Sequence, residues 1–413
     1  MKPVITRLMK KLGILVVIGG LLVLSGEACA VALANDPPPD LETIRLAAAD
    51  YFPDEYHQYH MDVDQLYDLL HDGDPENDPL VVSVQTRAEY ERGHIPGAIN
   101  LPWDEITDVA QLRAQIPEDQ LVVLYCNHCV HSAQISAILN LLGYDTLDLA
   151  YGFESWTKNQ VAIPDHFDPA CVCEHAMDTQ THTADPTGRY PQLNVAGSTP
   201  EEIITAAADV YLASEHYTNA GICPCDLEDL LMDGDAANDP FVLSLQWPDD
   251  YAKGHIPGAV NSPRWQVFEP ENLSRLPTDQ PIVICCYLGF TSPQVATILN
   301  MMGYDAQVSL HGMSTWTLDP QIVPFRIDDS RNWRDYPIEG TAAGVLAETM
   351  EQPKALPGAP VETAPWPEEY AVPAAAWLSQ LTDQCDGLDV NWFLSELVKF
   401  LQSVQQVMAN SPE

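Results

Sequence analysis

Two cysteines stand where a short apolar run gives way to a segment of helical period, and that placement suits covalent sulfur chemistry. One opens Cys126-Asn127-His128-Cys129-Val130-His131-Ser132, and the other opens Cys286-Tyr287-Leu288-Gly289-Phe290-Thr291-Ser292. A loop that wraps back into a helix N-terminus aims several backbone N–H groups at one atom. The helix dipole adds positive potential, so a thiolate or persulfide anion is stabilised there. A cysteine that takes up sulfur and hands it on splits one difficult transfer into two easier ones. The bland alternative for either residue is a small buried hydrophobe, since free cysteine is often buried.

The second loop is the better built of the two. Gly289 permits a tight turn, and Thr291 and Ser292 bring hydroxyls to the helix start. The first loop has Cys129 and His131 at the places of Gly289 and Thr291, which adds bulk and a competing thiol. Cys126 and Cys129, flanked by His128 and His131, also read as a redox couple in which Cys129 resolves Cys126, or as a soft-metal site. Donors packed this closely in sequence have poor geometry for a closed site, so neither a metal nor a cofactor is expected. Cys285 falls on the preceding strand and is expected to point away from the cradle.

The elements that must position these loops occur twice, at a spacing of about 160 residues. Ala47-Ala48-Ala49-Asp50, Asp72-Gly73-Asp74 and Gly93-His94-Ile95-Pro96-Gly97-Ala98 recur as Ala206-Ala207-Ala208-Asp209, Asp233-Gly234-Asp235 and Gly254-His255-Ile256-Pro257-Gly258-Ala259. In each copy short apolar runs alternate with helix-period segments, the pattern of a parallel sheet covered by helices. Strands are expected at 80–84, 121–125 and 146–149, and again at 241–245, 282–285 and around Val308. Helices are expected at 132–142 and 292–302, with an extra amphipathic segment ahead of each core. The acidic loops resemble the beginnings of calcium loops, but the later bidentate carboxylate is out of register, so they read as solvated turns.

Here a family resemblance becomes specific. Arg87-Ala88-Glu89-Tyr90-Glu91-Arg92-Gly93-His94-Ile95-Pro96-Gly97-Ala98-Ile99-Asn100 resembles the signature of rhodanese domains, and Tyr251 to Asn261 repeats it. The segments from Gly143 to Trp156 and from Gly303 to Trp316 resemble that family's closing strand and Gly-x-x-x-Trp helix. The resemblance implies an α/β fold of two tandem rhodanese-like domains, each a central parallel sheet flanked by helices. It also implies a catalytic cysteine at the start of the loop, because the Cys286 segment is similar to the Cys-x-x-Gly-Val-Thr loop of two-domain sulfurtransferases. His94 and His255 belong to a structural turn in that signature. Two departures stand out. His131 occupies a place where many single-domain relatives carry arginine, and Ser83-Val84-Gln85 and Ser244-Leu245-Gln246 replace the usual Asp-x-Arg, which removes the customary ion-pair support of the loop.

The boundaries follow: a signal peptide over 1–34, domain one over 41–160, a linker over 161–198 and domain two over 199–325. A Pro-rich tether over 340–388 and a C-terminal helix over 389–409 complete the chain. Lys2, Arg7, Lys10 and Lys11 precede an apolar run from Leu12 to Leu24, so export to the periplasm or the extracellular space is expected, with anchoring by an uncleaved leader as the alternative. The formal charge of -42 repels polyanions and argues against nucleic acid or an anionic membrane surface as partner. The pairs Cys171/Cys173 and Cys223/Cys225 suggest a disulfide between pairs, with a zinc site including His175 and His182 as runner-up. The function expected is transfer of sulfane sulfur from a small anionic donor to a thiol or other thiophilic acceptor, through Cys286 and with Cys126 as a second carrier. Its rivals are a catalytically silent binding module, with an envelope partner meeting the C-terminal helix, and a redox or metal protein built on Cys126 and Cys129.

Overall fold

A computed structural model of the chain describes residues 36–54, 59–164, 174–323 and 333–343. The expected leader, most of the tether, the C-terminal helix, Cys171 and Cys173 lie outside these residues. Among the described residues no helix is long and apolar enough to cross a membrane.

Domain one runs α1 (Pro39–Tyr51), β1 (His60–Met61), α2 (Val63–His71), β2 (Leu80–Ser83), α3 (Arg87–Arg92), β3 (Ile99–Asn100), α4 (Val109–Arg113), β4 (Val122–Tyr125), α5 (Val130–Leu141), β5 (Thr146–Leu149) and α6 (Phe153–Trp156). Domain two repeats it as α7 (Pro200–Leu212), α8 (Glu215–Thr218), β6 (Gly221–Ile222), α9 (Pro224–Met232), β7 (Phe241–Ser244) and α10 (Pro248–Tyr251). It continues with β8 (Val260–Asn261), α11 (Arg264–Val267), α12 (Pro270–Leu273), β9 (Ile282–Cys285), α13 (Thr291–Met301), β10 (Ala306–Ser309) and α14 (Met313–Trp316). Each sheet has five strands, in the orders β1-β5-β4-β2-β3 and β6-β10-β9-β7-β8, and every pairing is parallel. Both orders place the strand that leads into the cysteine loop, β4 or β9, at the centre.

Strand periodicity decides where the sulfurs go. Val122, Leu124 and Cys126 face one apolar cluster while Val123 and Tyr125 face another. In the same way Ile282, Ile284 and Cys286 face the first cluster while Val283 and Cys285 face a third. The alternation of side chains across a sheet therefore sends the adjacent Cys285 and Cys286 to opposite faces, as expected for Cys285.

The first cluster belongs to both domains, since Ile138 and Leu299 are among its fully buried members. Helices α5 and α13 pack against each other across it. Buried polar groups fix the register: Gln134 donates to the Tyr211 hydroxyl (2.8 Å) and Gln294 donates to Asp148 Oδ1 (2.9 Å). Such groups are costly when unpaired in an apolar interior, so these bonds favour one alignment of the two helices.

Two straps complete the architecture. Residues 174–187, within the segment read as a linker, follow domain one and dock on domain two. There His175 N–H donates to Trp316 O, the Trp316 indole donates to Ala176 O, and Asp178 exchanges backbone bonds with His255. Residues 333–343 follow domain two and dock on domain one in the same way. Tyr336 N–H donates to Trp156 O, the Trp156 indole donates to Pro337 O, and Glu339 exchanges backbone bonds with His94. The buried indoles, whose N–H groups need an acceptor, explain why each strap returns to this place. The acidic loops are exposed turns, in which Asp72 and Asp233 each accept from a nearby backbone N–H and from an Asn side chain of the same loop.

Candidate active site

Both cysteine loops sit between a central strand and the helix that follows it. Helices α5 and α13 begin slightly earlier than the apolar period suggested, which puts Ser132 and Ser292 in the first turn. Their hydroxyls then face the sulfurs, at 3.6 Å from Cys126 Sγ and 3.4 Å from Cys286 Sγ.

The loops part company at the third residue after the cysteine. Gly289 has φ +85°, a conformation open to glycine, and its N–H donates to Cys286 Sγ at 3.1 Å. Cys129 takes the same turn at φ +70°, a costlier conformation for a residue with a Cβ. Its thiol points to Leu149 O (3.1 Å), and among the described residues no backbone N–H donates to Cys126 Sγ. A thiolate at Cys286 therefore has a backbone donor that one at Cys126 lacks.

The short helix after the next strand holds each loop from outside. Met313 N–H donates to Cys286 O (2.8 Å) and Ser314 N–H to Tyr287 O (2.9 Å), while Phe153 N–H donates to Cys126 O (2.8 Å). These bonds hold the loop carbonyls on the side away from the following helix, and in the second loop Gly289 N–H remains directed at the sulfur. Close approach is possible because Gly152 and Gly312 precede those helices at positive φ, and a Cβ on either would strike the cysteine carbonyl oxygen.

Where an Asp-x-Arg ion pair is missing, hydrogen bonds donated by side-chain amides and a tyrosine hydroxyl take over. Gln85 Nε2 donates to Asn127 Oδ1 (2.7 Å) and to Gly93 O, and Asn127 Nδ2 donates to Glu89 Oε1. Gln246 Nε2 donates to Gly254 O (3.1 Å), and the Tyr287 hydroxyl donates to Asp250 Oδ2 (2.6 Å). The loops are supported, though by no cation at these positions.

The two sites meet at the domain interface. Phe290 packs edge-on to Tyr151 (4.7 Å between centroids) and His60 (5.5 Å), both from domain one. His311 of domain two meets His128 of the first loop at 6.3 Å. His131 lies flat on Trp103 (3.8 Å) and edge-on to Tyr217 of domain two. Cys126 and Cys286 are 6% and 5% exposed, so both are buried beside this interface. The open clefts of domain two, one lined by His182, Asn261 and Arg275 and one by Leu231, Pro257 and Gly258, do not include Cys286. The loop geometry singles out the nucleophile.

The expected use of Cys126 and Cys129 as a redox or metal pair finds no support in this arrangement. Burial pushes the Cys129 thiol well above its ordinary range, away from the thiolate that either role requires. His128 pairs with Glu154 (3.1 Å) and His131 with Gln134 (2.8 Å), and no three of the four donors converge on a common point among the described residues. Burial also raises the Cys285 thiol, in keeping with a structural role. Sequence reasoning did not pick out Tyr151, His60 and His311, which complete the site from other elements. Only Gly152 and Gly312 left a signal, in the Gly-x-x-x-Trp pattern.

His131 and His311 are both lowered to about 4, first by burial. For His311 the neighbouring His128 adds to the effect and Glu154 opposes it. Both rings are neutral at pH 7, so His131 supplies no cation in place of the arginine. The folded values lie below the ordinary 6.5, so the unfolded chain binds more protons between about 6.5 and 4. The stability these rings contribute is present above that window and is lost as pH falls through it, at most about 3 kcal/mol for each. We expect the pH dependence of the denaturation midpoint between 6.5 and 4 to flatten in a His131→Asn, His311→Asn double variant. An unchanged slope would show that carboxylates alone set it.

Comparison with known proteins agrees with the duplication. The family described as Rhodanese-like domain matches residues 62–159 and 224–319. A sulfurtransferase of Allochromatium vinosum is 36% identical over 88 residues, covering 78% of that protein and 21% of this chain. The thiosulfate sulfurtransferase PspE of Escherichia coli is 30% identical over 74 residues, covering 69% of that protein and 18% of this chain. A solved thiosulfate sulfurtransferase from Pseudomonas aeruginosa aligns with 68% of this chain and 49% of its own, at 15% identity and a TM-score of 0.24.

Proposed function

The chain belongs to the rhodanese-like family, and from that premise we propose that it is a sulfurtransferase whose nucleophile is Cys286. The Cys286 thiolate attacks the outer sulfur of a small anionic sulfane donor, such as thiosulfate. A Cys–S–S bond forms, the donor's S–S bond breaks, and its electron pair leaves with sulfite. A thiol or other thiophilic acceptor then attacks the terminal sulfur and restores the thiolate. The observation that carries this reading is the Gly289 N–H aimed at Cys286 Sγ at 3.1 Å, beside the Ser292 hydroxyl. The same donors can hold the persulfide anion that forms between the two steps. Cys126 is a second carrier at most. From the sequence alone we also propose that 1–34 directs export and that the apolar spacing over 389–409 serves an envelope partner; both segments lie outside the described residues.

A second reading has its own observation. Neutral glutamines replace the usual charged pair, and burial keeps His131 and His311 uncharged, as a catalytically silent binding module would tolerate. One experiment separates the two. After incubation of the reduced full chain with thiosulfate or polysulfide, peptide mass spectrometry should show one added sulfur atom on the peptide carrying Cys286. Absence of that gain with every donor would leave the binding module.

A further inference from the structure

The strap on domain two brings together three metal-ligating side chains that the sulfur chemistry does not use. Ligand atoms of Asp178, His182 and His255 all lie within 4.8 Å of one another. His255 is fully buried, and its Nδ1 is engaged with Tyr251 O at 2.7 Å. With the proton on Nδ1, the lone pair of Nε2 is bare, and Nε2 has no hydrogen-bond partner. A buried polar atom without a partner is costly, and a backbone carbonyl on the far nitrogen is the usual second support of a metal-bound imidazole. The Tyr251 ring stacks on His255 at 3.6 Å, and its hydroxyl donates to Ala259 O and accepts from His182 N–H. One tyrosine thus orients the His255 ring and anchors the His182 backbone.

The other two ligands come from the strap. His182 Nε2 lies 2.6 Å from Asp178 Oδ2, and Asp178 Oδ1 accepts from Gln180 N–H. Backbone bonds between Asp178 and His255 fix the strap against the turn.

Domain one supplies an internal control. His94 occupies the matching turn, with Nδ1 engaged with Tyr90 O and the ring stacked on Tyr90. Its Nε2 faces Glu339 at 3.4 Å, and no second histidine joins them among the described residues. The histidine of the shared turn is thus structural in one copy and part of a donor cluster in the other.

We propose that Asp178, His182 and His255 bind one divalent ion of the zinc class, with a fourth position open to water. Two imidazoles and one carboxylate with an open position make a recognised zinc set, and imidazole suits such ions better than magnesium or calcium. Tetrahedral binding at the usual bond lengths separates ligand atoms by about 3.3 Å, so the Asp178–His182 contact opens slightly as the ion enters. His182 also lines a cleft of about 190 Å³. The ion would clamp the strap to domain two.

The test uses the full chain after chelation, titrated with zinc by calorimetry and with cobalt by visible absorption. One equivalent should bind with a cobalt spectrum of nitrogen and oxygen ligation and no thiolate charge transfer. His182→Ala, at a part-exposed position, should weaken binding by more than about 100-fold, beyond what loss of a supporting group costs. His94→Asn should leave binding intact. His255→Asn serves as a second ligand variant if it folds, and Asp178→Asn if it does not. No saturable binding would show that Asp178 and His182 form an ordinary ion pair only. Binding undiminished in His182→Ala, or a cobalt–thiolate band, would place the ion on the cysteines and overturn the proposal.

Discussion

Replacing Cys286 by serine should lower sulfur transfer from thiosulfate by about 10³-fold or more, while Cys126→Ser should keep about a third of the activity or more. The two substitutions are matched in volume and burial, so neither should disturb packing much, and the contrast between them reports chemistry. It rests on a single donor. Gly289 N–H reaches Cys286 Sγ, whereas Cys129 turns its own thiol to Leu149 O and no backbone N–H reaches Cys126 Sγ. An unperturbed cysteine is only a few per cent ionised at neutral pH, so the site with a donor for the anion should carry the turnover. Steady-state rates of both variants at matched thermal stability are the measurement. Equal losses would mean that sulfur passes between the facing loops, and loss with Cys126→Ser alone would reverse the ranking.

The geometric difference between the two loops was legible in the sequence because it depends on residue type at one position. A glycine can take positive φ without strain and cysteine cannot, and that difference survives without any knowledge of the fold. The duplication was legible for a similar reason, since repeated turns and strands recur at fixed spacing. What could not be read was which residues of one copy stand over the loop of the other. Phe290 meets Tyr151 and His60 across the packing of α5 on α13, whose alignment the Gln134 and Gln294 bonds favour, and no local pattern encodes that crossing. The straps were hidden too. Their sequence lacks periodicity because they make isolated backbone and indole bonds instead of a continuous ladder. His182 stood out beside His175 and the paired cysteines, yet its ligand partners came into view only when an antiparallel bridge brought Asp178 to His255.

Gly312→Ala should separate the architecture of the cradle from the stability of the domain. Gly312 has φ +59° with ψ −148°, a region essentially reserved for glycine, and a Cβ there would strike the Cys286 carbonyl oxygen. The carbonyl must move, and the Met313 bond that holds it at 2.8 Å goes with it. Displacing that carbonyl rotates the peptide beside the nucleophile and withdraws Cys286 Sγ from Gly289 N–H. A misplacement of about 1 Å at a reacting group can cost on the order of 100-fold, so kcat/KM should fall by that much at temperatures where the variant is folded. Gly152→Ala makes the same collision with the Cys126 carbonyl at φ +63°, and backbone strain of this kind costs about 1–3 kcal/mol in either domain. The pair should therefore lose similar stability by thermal melting, while only Gly312→Ala loses most of the turnover. Equal losses of activity would show that the two domains respond as one rigid body, and that the cradle around Cys286 has no privileged role.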